Sequence, residues 1–302
     1  KELTMYSKAI ELINILNNHG YESYIVGGYV RDKLLGRESN DIDICIDSIA
    51  SDKSISHRSA IFSFFSNKQS RVRNYLFGED TLDTLKIAIQ LGLEVKDSNG
   101  NINNIESIKN SKELYLSSKN GINEPPDILY CGNAGTAMRL YMGLLAPNKG
   151  HFVLSGDKYL NSRPMARIIE PLNSIGANIS ARCNNSLAPI CINGTILSPF
   201  AYHSAISSAQ VKGAMILSAL QIDGISKFSE VSKSRDHTER MFLGMGARLE
   251  INANEIIINS SKESLNPLDI TIPADPSSAF YFAVLAAITN NTKVVLKDVL
   301  LN

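Results

Sequence analysis

Three times along this chain of 302 residues a helical run ends in one short signature: LGLEV at 91–95, IGANI at 175–179 and MGARL at 245–249. Glycine just past a helix end is the usual C-terminal stop, because it enters the left-handed region without a Cβ penalty. A recurrence of roughly 70–85 residues is too long for a solenoid and marks a tandem β/α unit. Each unit leads with a helix, continues with a strand, and closes with the helix that carries the signature and a further strand. The first runs helix 54–65, strand 71–76, helix 81–91 and strand 93–96. The second runs 135–146, 151–155, 164–175 and 178–182, and the third 208–220, 227–231, 237–245 and 248–251. The chain therefore reads as α/β, with three repeated units in one lobe over residues 48–265. The stretch DITIPADPSSAFYFAVLAAIT then opens a fourth unit with a strand, a Ser-capped helix and a strand at 293–296. Residues 266–302 thus read as the start of a second, incomplete lobe.

Composition narrows the class. Apolar residues make up 44% and charged residues 20%, enough to bury a large core. Lys+Arg and Asp+Glu are both 30, so no global charge points to nucleic acid or an anionic membrane. Cys45, Cys131, Cys183 and Cys191 show no CxxC spacing, which disfavours a metal or disulfide framework and fits a reducing cytoplasm. The longest apolar run, 279–288, is half of the ~20 residues that a membrane helix needs. Any basic chemistry must therefore be local.

Local basic chemistry recurs at the helix starts. CGNAGTAMRLYMGLLA, residues 131–146, places Gly132 and Gly135 ahead of an apolar helix, with Thr136 in its first turn and Arg139 about one turn on. Helix N-termini present free N–H groups and a partial positive charge, so an anion such as phosphate is their natural partner. A glycine turn that merely starts a core helix is the plain alternative. The other units carry related chemistry. SDKSISHR sets Lys53 before a helix, Ser54 at its cap and Arg58 on the same face. SGDKYLNSRP brings Arg163 ahead of Pro164, ISSAQVKGAM brings Ser207, Ser208 and Gln210, and SKSRDHTER brings Ser234 and Arg235. Cations flanked by hydroxyls and amides, with no nucleophile–base pair among them, suit a polyanionic, hydroxylated ligand.

DKSISHR, the GED-TL run at 78–82, GNAGTAMR, SGDKYLNSRPM, SSAQVK, SRDHTER and DPSSAFYF resemble, in order, the EPSP synthase (3-phosphoshikimate 1-carboxyvinyltransferase) family. The resemblance implies two similar lobes of three β/α units each, with substrates in the cleft between them and neither metal nor cofactor. It implies enolpyruvyl transfer from phosphoenolpyruvate to the 5-hydroxyl of shikimate 3-phosphate, a step toward chorismate and the aromatic amino acids. Carried over by motif, Lys53, Asn133, Gly135, Thr136, Arg163 and Gln210 contact phosphoenolpyruvate. Lys53, Ser54, Arg58, Ser208, Gln210 and Arg235 hold shikimate 3-phosphate. The family's acid and base come from the second lobe, so the expectation is a monomeric, cytoplasmic protein that does not turn over alone. A related enolpyruvyltransferase acting on a UDP-sugar fits SDKSISHR and SRPM less well.

Residues 1–47 read differently. YESYIVGGYVRDKLLGRESNDIDICID resembles the head of tRNA CCA-adding and poly(A) polymerase nucleotidyltransferases, which implies Mg²⁺ on Asp41 and Asp43. Two carboxylates two apart on a strand share a face and can share a divalent cation. The resemblance stops near Asp47, before that family's third carboxylate. The alternatives to transfer chemistry are therefore a non-catalytic substrate-binding lobe and a nucleotidyltransferase-related RNA protein.

Overall fold

The computed structural model describes residues 5–18, 23–26, 28–37, 43–46, 49–100, 102–109, 111–260, 264–288 and 294–301. The chain divides into two compact units, one of Lys1–Asp52 with Pro273–Leu301 and one of Lys53–Ile272. The smaller opens with α1 (Met5–Asn18), β1 (Ser23–Val26), α2 (Gly28–Leu34) and β2 (Asp43–Ile46). β1 pairs antiparallel with β2, Val26 opposite Asp43.

The larger unit holds the three repeats. The first contains α3 (Lys53–Phe62), β3 (Ser70–Arg73), α4 (Glu79–Gln90), β4 (Glu94–Asp97), the one-turn α5 (Ile105–Ile108) and β5 (Glu113–Ser117). The second contains β6 (Leu129–Tyr130), α6 (Gly135–Leu145), β7 (His151–Ser155), α7 (Ala166–Ser174), β8 (Asn178–Ala181), the short α8 (Arg182–Asn185) and β9 (Leu187–Asn193). The third contains β10 (Ala201–Ser204), α9 (Ala209–Ala219), β11 (Ile225–Glu230), α10 (His237–Gly244), β12 (Leu249–Asn252) and β13 (Glu255–Asn259), and the unit ends with β14 (Asp269–Thr271).

Each repeat owns a four-stranded sheet of one pattern: β14-β3-β5-β4, β6-β7-β9-β8 and β10-β11-β13-β12. In every sheet the first pair is parallel and the other two are antiparallel. The third strands β5, β9 and β13 escape the sequence reading, although β9 and β13 alternate buried residues with half-buried or exposed ones throughout. All three signature glycines hold positive φ, at 100° for Gly92, 102° for Gly176 and 84° for Gly246. The residue after each one donates back to the preceding helix, Leu93 to Ala88, Ala177 to Leu172 and Ala247 to Phe242, at 2.9–3.1 Å. These bonds satisfy carbonyls that a helix end otherwise leaves open.

Residues 269–271, expected in a fourth unit, instead complete the first. Ile270 lies opposite Val72 and Thr271 opposite Arg73, and the Arg73 guanidinium meets the Asp269 carboxylate at 2.7 Å. Among the described residues the first repeat has no leading strand of its own beside β3, and β14 fills that edge. The two compact units accordingly meet in sequence at 52/53 and 272/273, where the motif-based division falls at 47/48 and 265/266. The last helix, α11 (Pro276–Ile288), belongs to the smaller unit. Its N-terminus is capped by Asp275 and not by serine, with Oδ1 accepting from the Ser277 and Ser278 backbone N–H groups at 2.6 and 3.4 Å. Residues 294–297 form no strand.

Helices α6 and α9 form the centre of the larger unit. Ala137–Leu145 and Val211–Ala219 are buried along their whole length, as expected of helices without a solvent face. Small residues let them approach. A Cβ on Gly143 would come within 2.6 Å of the Ala214 Cα, and one on Gly213 within 2.8 Å of a Leu140 methyl group.

Candidate anion-binding site

Packing α6 against α9 brings their first turns together. The Arg139 guanidinium donates to Gln210 Oε1 at 2.8 Å and to the Pro164 carbonyl at 3.2 Å. Gln210 Nε2 in turn donates to Thr136 Oγ1 at 3.0 Å. The Arg163 guanidinium bonds the Asn133 side-chain oxygen. Gly135 sits directly below both guanidinium groups, since a Cβ there would lie 3.1 Å from Arg139 Nη1 and 3.2 Å from Arg163 Nη1. Asn133, Gly135, Thr136, Arg163 and Gln210, all expected from sequence, thus assemble around one point. Arg139 joins them as the buried cation that organises the group.

The electrostatics of this cluster are one-sided. Burial, followed by the neighbouring Arg167 and Arg163, lowers the Arg139 pKa to about 10. Three cations, with no carboxylate bonded to Arg139 or Arg163 among the described residues, leave positive potential over the start of α6. The α6 N-cap, Ala134, supplies no side-chain acceptor to the first turn, so its N–H groups add to that potential. An incoming anion relieves the repulsion, which is the physical basis for binding phosphate or carboxylate here.

A second group forms around α3. Arg58 is 3% exposed, a value that makes it part of the protein interior. Its Nε donates to Thr238 Oγ1 of α10 at 3.0 Å and its Nη1 to the Ser54 carbonyl at 3.0 Å. Lys53 is half exposed and ion-paired with Asp80 at the start of α4. Next to Arg58, His57 is buried, with Nδ1 2.7 Å from Thr84 Oγ1. Burial, then Lys53 and Arg58, pushes the His57 pKa down to about 3 and keeps the ring neutral. Thr84 Oγ1 already donates to the Asp80 carbonyl, so His57 must supply the proton of its own bond from Nδ1.

Ser208 caps α9 by accepting from the Val211 N–H at 3.5 Å, and Ser207 bonds Ser232 at 2.7 Å. Arg235 stands exposed in the segment ahead of α10, three residues before Thr238. The side chains of Asp41 and Asp43 lie outside the described residues, and among the described residues no group of metal-ligating side chains occurs. Cys131 is buried, and burial together with Asp83 pushes its thiol pKa up, so it supplies no thiolate. Sequence reasoning placed Arg139 in the anion-seeking start of α6 without assigning it a contact, and gave no role to Asp80 and Thr238. Thr238 could not have been found, because its role depends on α10 packing against α3.

Known proteins place the fold. The family model of EPSP synthase (3-phosphoshikimate 1-carboxyvinyltransferase) matches residues 39–302. The 3-phosphoshikimate 1-carboxyvinyltransferase of Campylobacter concisus is 53% identical over 261 residues, covering 86% of this chain and 58% of its own length. That of Wolinella succinogenes is 54% identical over 263 residues, covering 86% and 57%. The solved structure of EPSP synthase from Acinetobacter baumannii superposes with a TM-score of 0.74 at 34% identity, over 84% of this chain and 55% of that one. The chain therefore spans little more than half the length of the relatives it matches. With its sheets, its helix-start motifs and these likenesses in agreement, this chain belongs to the EPSP synthase family.

Proposed function

We propose that this chain takes part in the transfer of the enolpyruvyl group of phosphoenolpyruvate to the 5-hydroxyl of shikimate 3-phosphate. The observation that carries the reading is the Arg139–Gln210–Thr136 chain with Arg163 over Gly135, a cationic cluster on a helix start that has no carboxylate partner on Arg139 or Arg163 among the described residues. In this reading phosphoenolpyruvate contacts Lys53, Asn133, Gly135, Thr136, Arg163 and Gln210. Shikimate 3-phosphate contacts Lys53, Ser54, Arg58, Ser208, Gln210 and Arg235. Lys53 exchanges the Asp80 carboxylate for ligand phosphate, which explains how one side chain serves both substrates.

The chemistry is an addition and an elimination. Protonation at C3 of phosphoenolpyruvate makes C2 electrophilic, and the 5-hydroxyl adds to C2 and loses its proton. The tetrahedral adduct then expels phosphate as its C3 methyl gives up a proton, which restores the C2=C3 double bond of the enolpyruvyl group. Fixed cations stabilise the charge that gathers on the departing phosphate. The same reading gives a monomeric cytoplasmic protein that needs no cofactor and has no nucleic-acid partner. Among the described residues no helix is long and apolar enough to cross a membrane.

Calorimetry of this chain with shikimate 3-phosphate tests the assignment. Arg58→Ala and Arg235→Ala are each expected to weaken binding at least about tenfold, the scale of a charge-assisted hydrogen bond. Affinity unchanged by both substitutions would sink it.

A further inference from the structure

Lys212 is a charged side chain buried in the interior of the larger unit. It lies on α9 between Val211 and Gly213 and is 1% exposed. Its ammonium meets two carboxylates, Glu230 at the end of β11 at 3.0 Å and Glu239 in the first turn of α10 at 2.7 Å. Such a buried ion group is a poor stabiliser, because desolvation offsets most of the Coulomb gain and apolar residues of similar volume often do better.

The remaining hydrogen bonds of the group converge on one loop residue. Lys212 Nζ donates to the Ser234 carbonyl at 3.1 Å. Glu230 Oε1 accepts from the Ser234 backbone N–H at 2.8 Å and from its hydroxyl at 3.0 Å. All three polar groups of Ser234 are therefore held from the protein interior. Residues 231–236 form no helix or strand, and this is where a loop needs an anchor. The next residue is Arg235, exposed and free to turn toward a ligand. The anchor also reaches the substrate side of α9, since Lys212 stands one turn beyond Ser208.

We propose that Lys212, with Glu230 and Glu239, is a positioning residue that fixes the Arg235 backbone so that its guanidinium meets the phosphate of shikimate 3-phosphate at little entropic cost. Preorganisation of this kind raises affinity by removing the ordering cost of the loop. The proposal rests on the substrate reading above, and its test separates the two.

The first arm needs no ligand. In Lys212→Met, trypsin cleavage after Lys233 and Arg235, followed by mass spectrometry, is expected to run about tenfold faster with cleavage elsewhere unchanged. Ser234→Ala, which removes only the loop hydroxyl bonded to Glu230 and leaves the buried charges paired, is expected to give a smaller increase of about threefold and serves if Lys212→Met does not fold. The second arm is calorimetry with shikimate 3-phosphate. Each variant is expected to weaken binding alone and to add nothing in the Arg235→Ala background, the signature of action through Arg235. Unchanged cleavage in both variants overturns the clamp, and additive losses overturn the route through Arg235. Faster cleavage with no binding by the unsubstituted chain overturns the substrate reading, and the positioning role with it.

Discussion

Gly143 of α6 lies flat against the backbone of Ala214 in α9, so that a Cβ at position 143 would come within 2.6 Å of the Ala214 Cα. The Ser218 hydroxyl adds a bond to the Gly143 carbonyl at 2.8 Å. This contact sets how close the first turns of the two helices can come, and with it whether Gln210 reaches both Arg139 and Thr136. Gly143→Ala is therefore expected to destabilise by about 1–3 kcal/mol through overpacking, despite the better helix propensity of alanine. Urea denaturation measures it, and a gain in stability would show that the helices separate without cost.

Among the described residues, Gln210 is the side-chain acceptor for Arg139, beside the Pro164 carbonyl. Gln210→Leu keeps the volume but leaves a buried guanidinium N–H group unpaired, at an expected cost of about 1–3 kcal/mol. Arg139 Nε already lacks a partner among the described residues, so the group has little slack. A denaturation midpoint equal to that of the unsubstituted chain would contradict this.

Burial keeps His57 neutral in the folded state, with a pKa of about 3 against 6.5 when exposed. Between those values the unfolded chain binds the extra proton, so stability falls as pH falls below about 6.5. The slope is about 1.4 kcal/mol per pH unit for one group, so the step from pH 6.5 to 5 costs about 2 kcal/mol. Urea titrations at pH 7 and pH 5 measure the difference. His57→Gln should reduce it by that amount, and an equal pH response in both proteins would rule His57 out as the source.

Thr238 orients Arg58 from a different repeat, accepting from Nε at 3.0 Å. Thr238→Val preserves shape and removes the acceptor. We expect shikimate 3-phosphate to bind about 3–10-fold more weakly, less than the loss in Arg58→Ala. Calorimetry on the two variants checks the order, and a Thr238→Val loss equal to or larger than that of Arg58→Ala would contradict the indirect role.

Much of the fold was legible because local rules act within a few residues. Gly92, Gly176 and Gly246 end helices through their own backbone freedom, and so they announced three repeats. The helix starts at Lys53, Gly135 and Ser208 carry caps, turns and cations in sequence order, and five of the six expected phosphoenolpyruvate contacts stand around one point. The cap of α11 was less legible: sequence offers a serine, the structure uses Asp275, and the two residue types compete for the same N–H groups.

The amino-acid sequence alone determined the repeat, the α/β class and the anion-seeking chemistry, because these follow from periodicity, φ preference and residue type. Only the tertiary structure decided that Asp269–Thr271 pairs with β3, that Thr238 aims Arg58, and that Lys212 holds Ser234. Each of those joins elements far apart in the chain, and a strand edge or a buried charge chooses its partner by proximity in space, a property no single segment encodes.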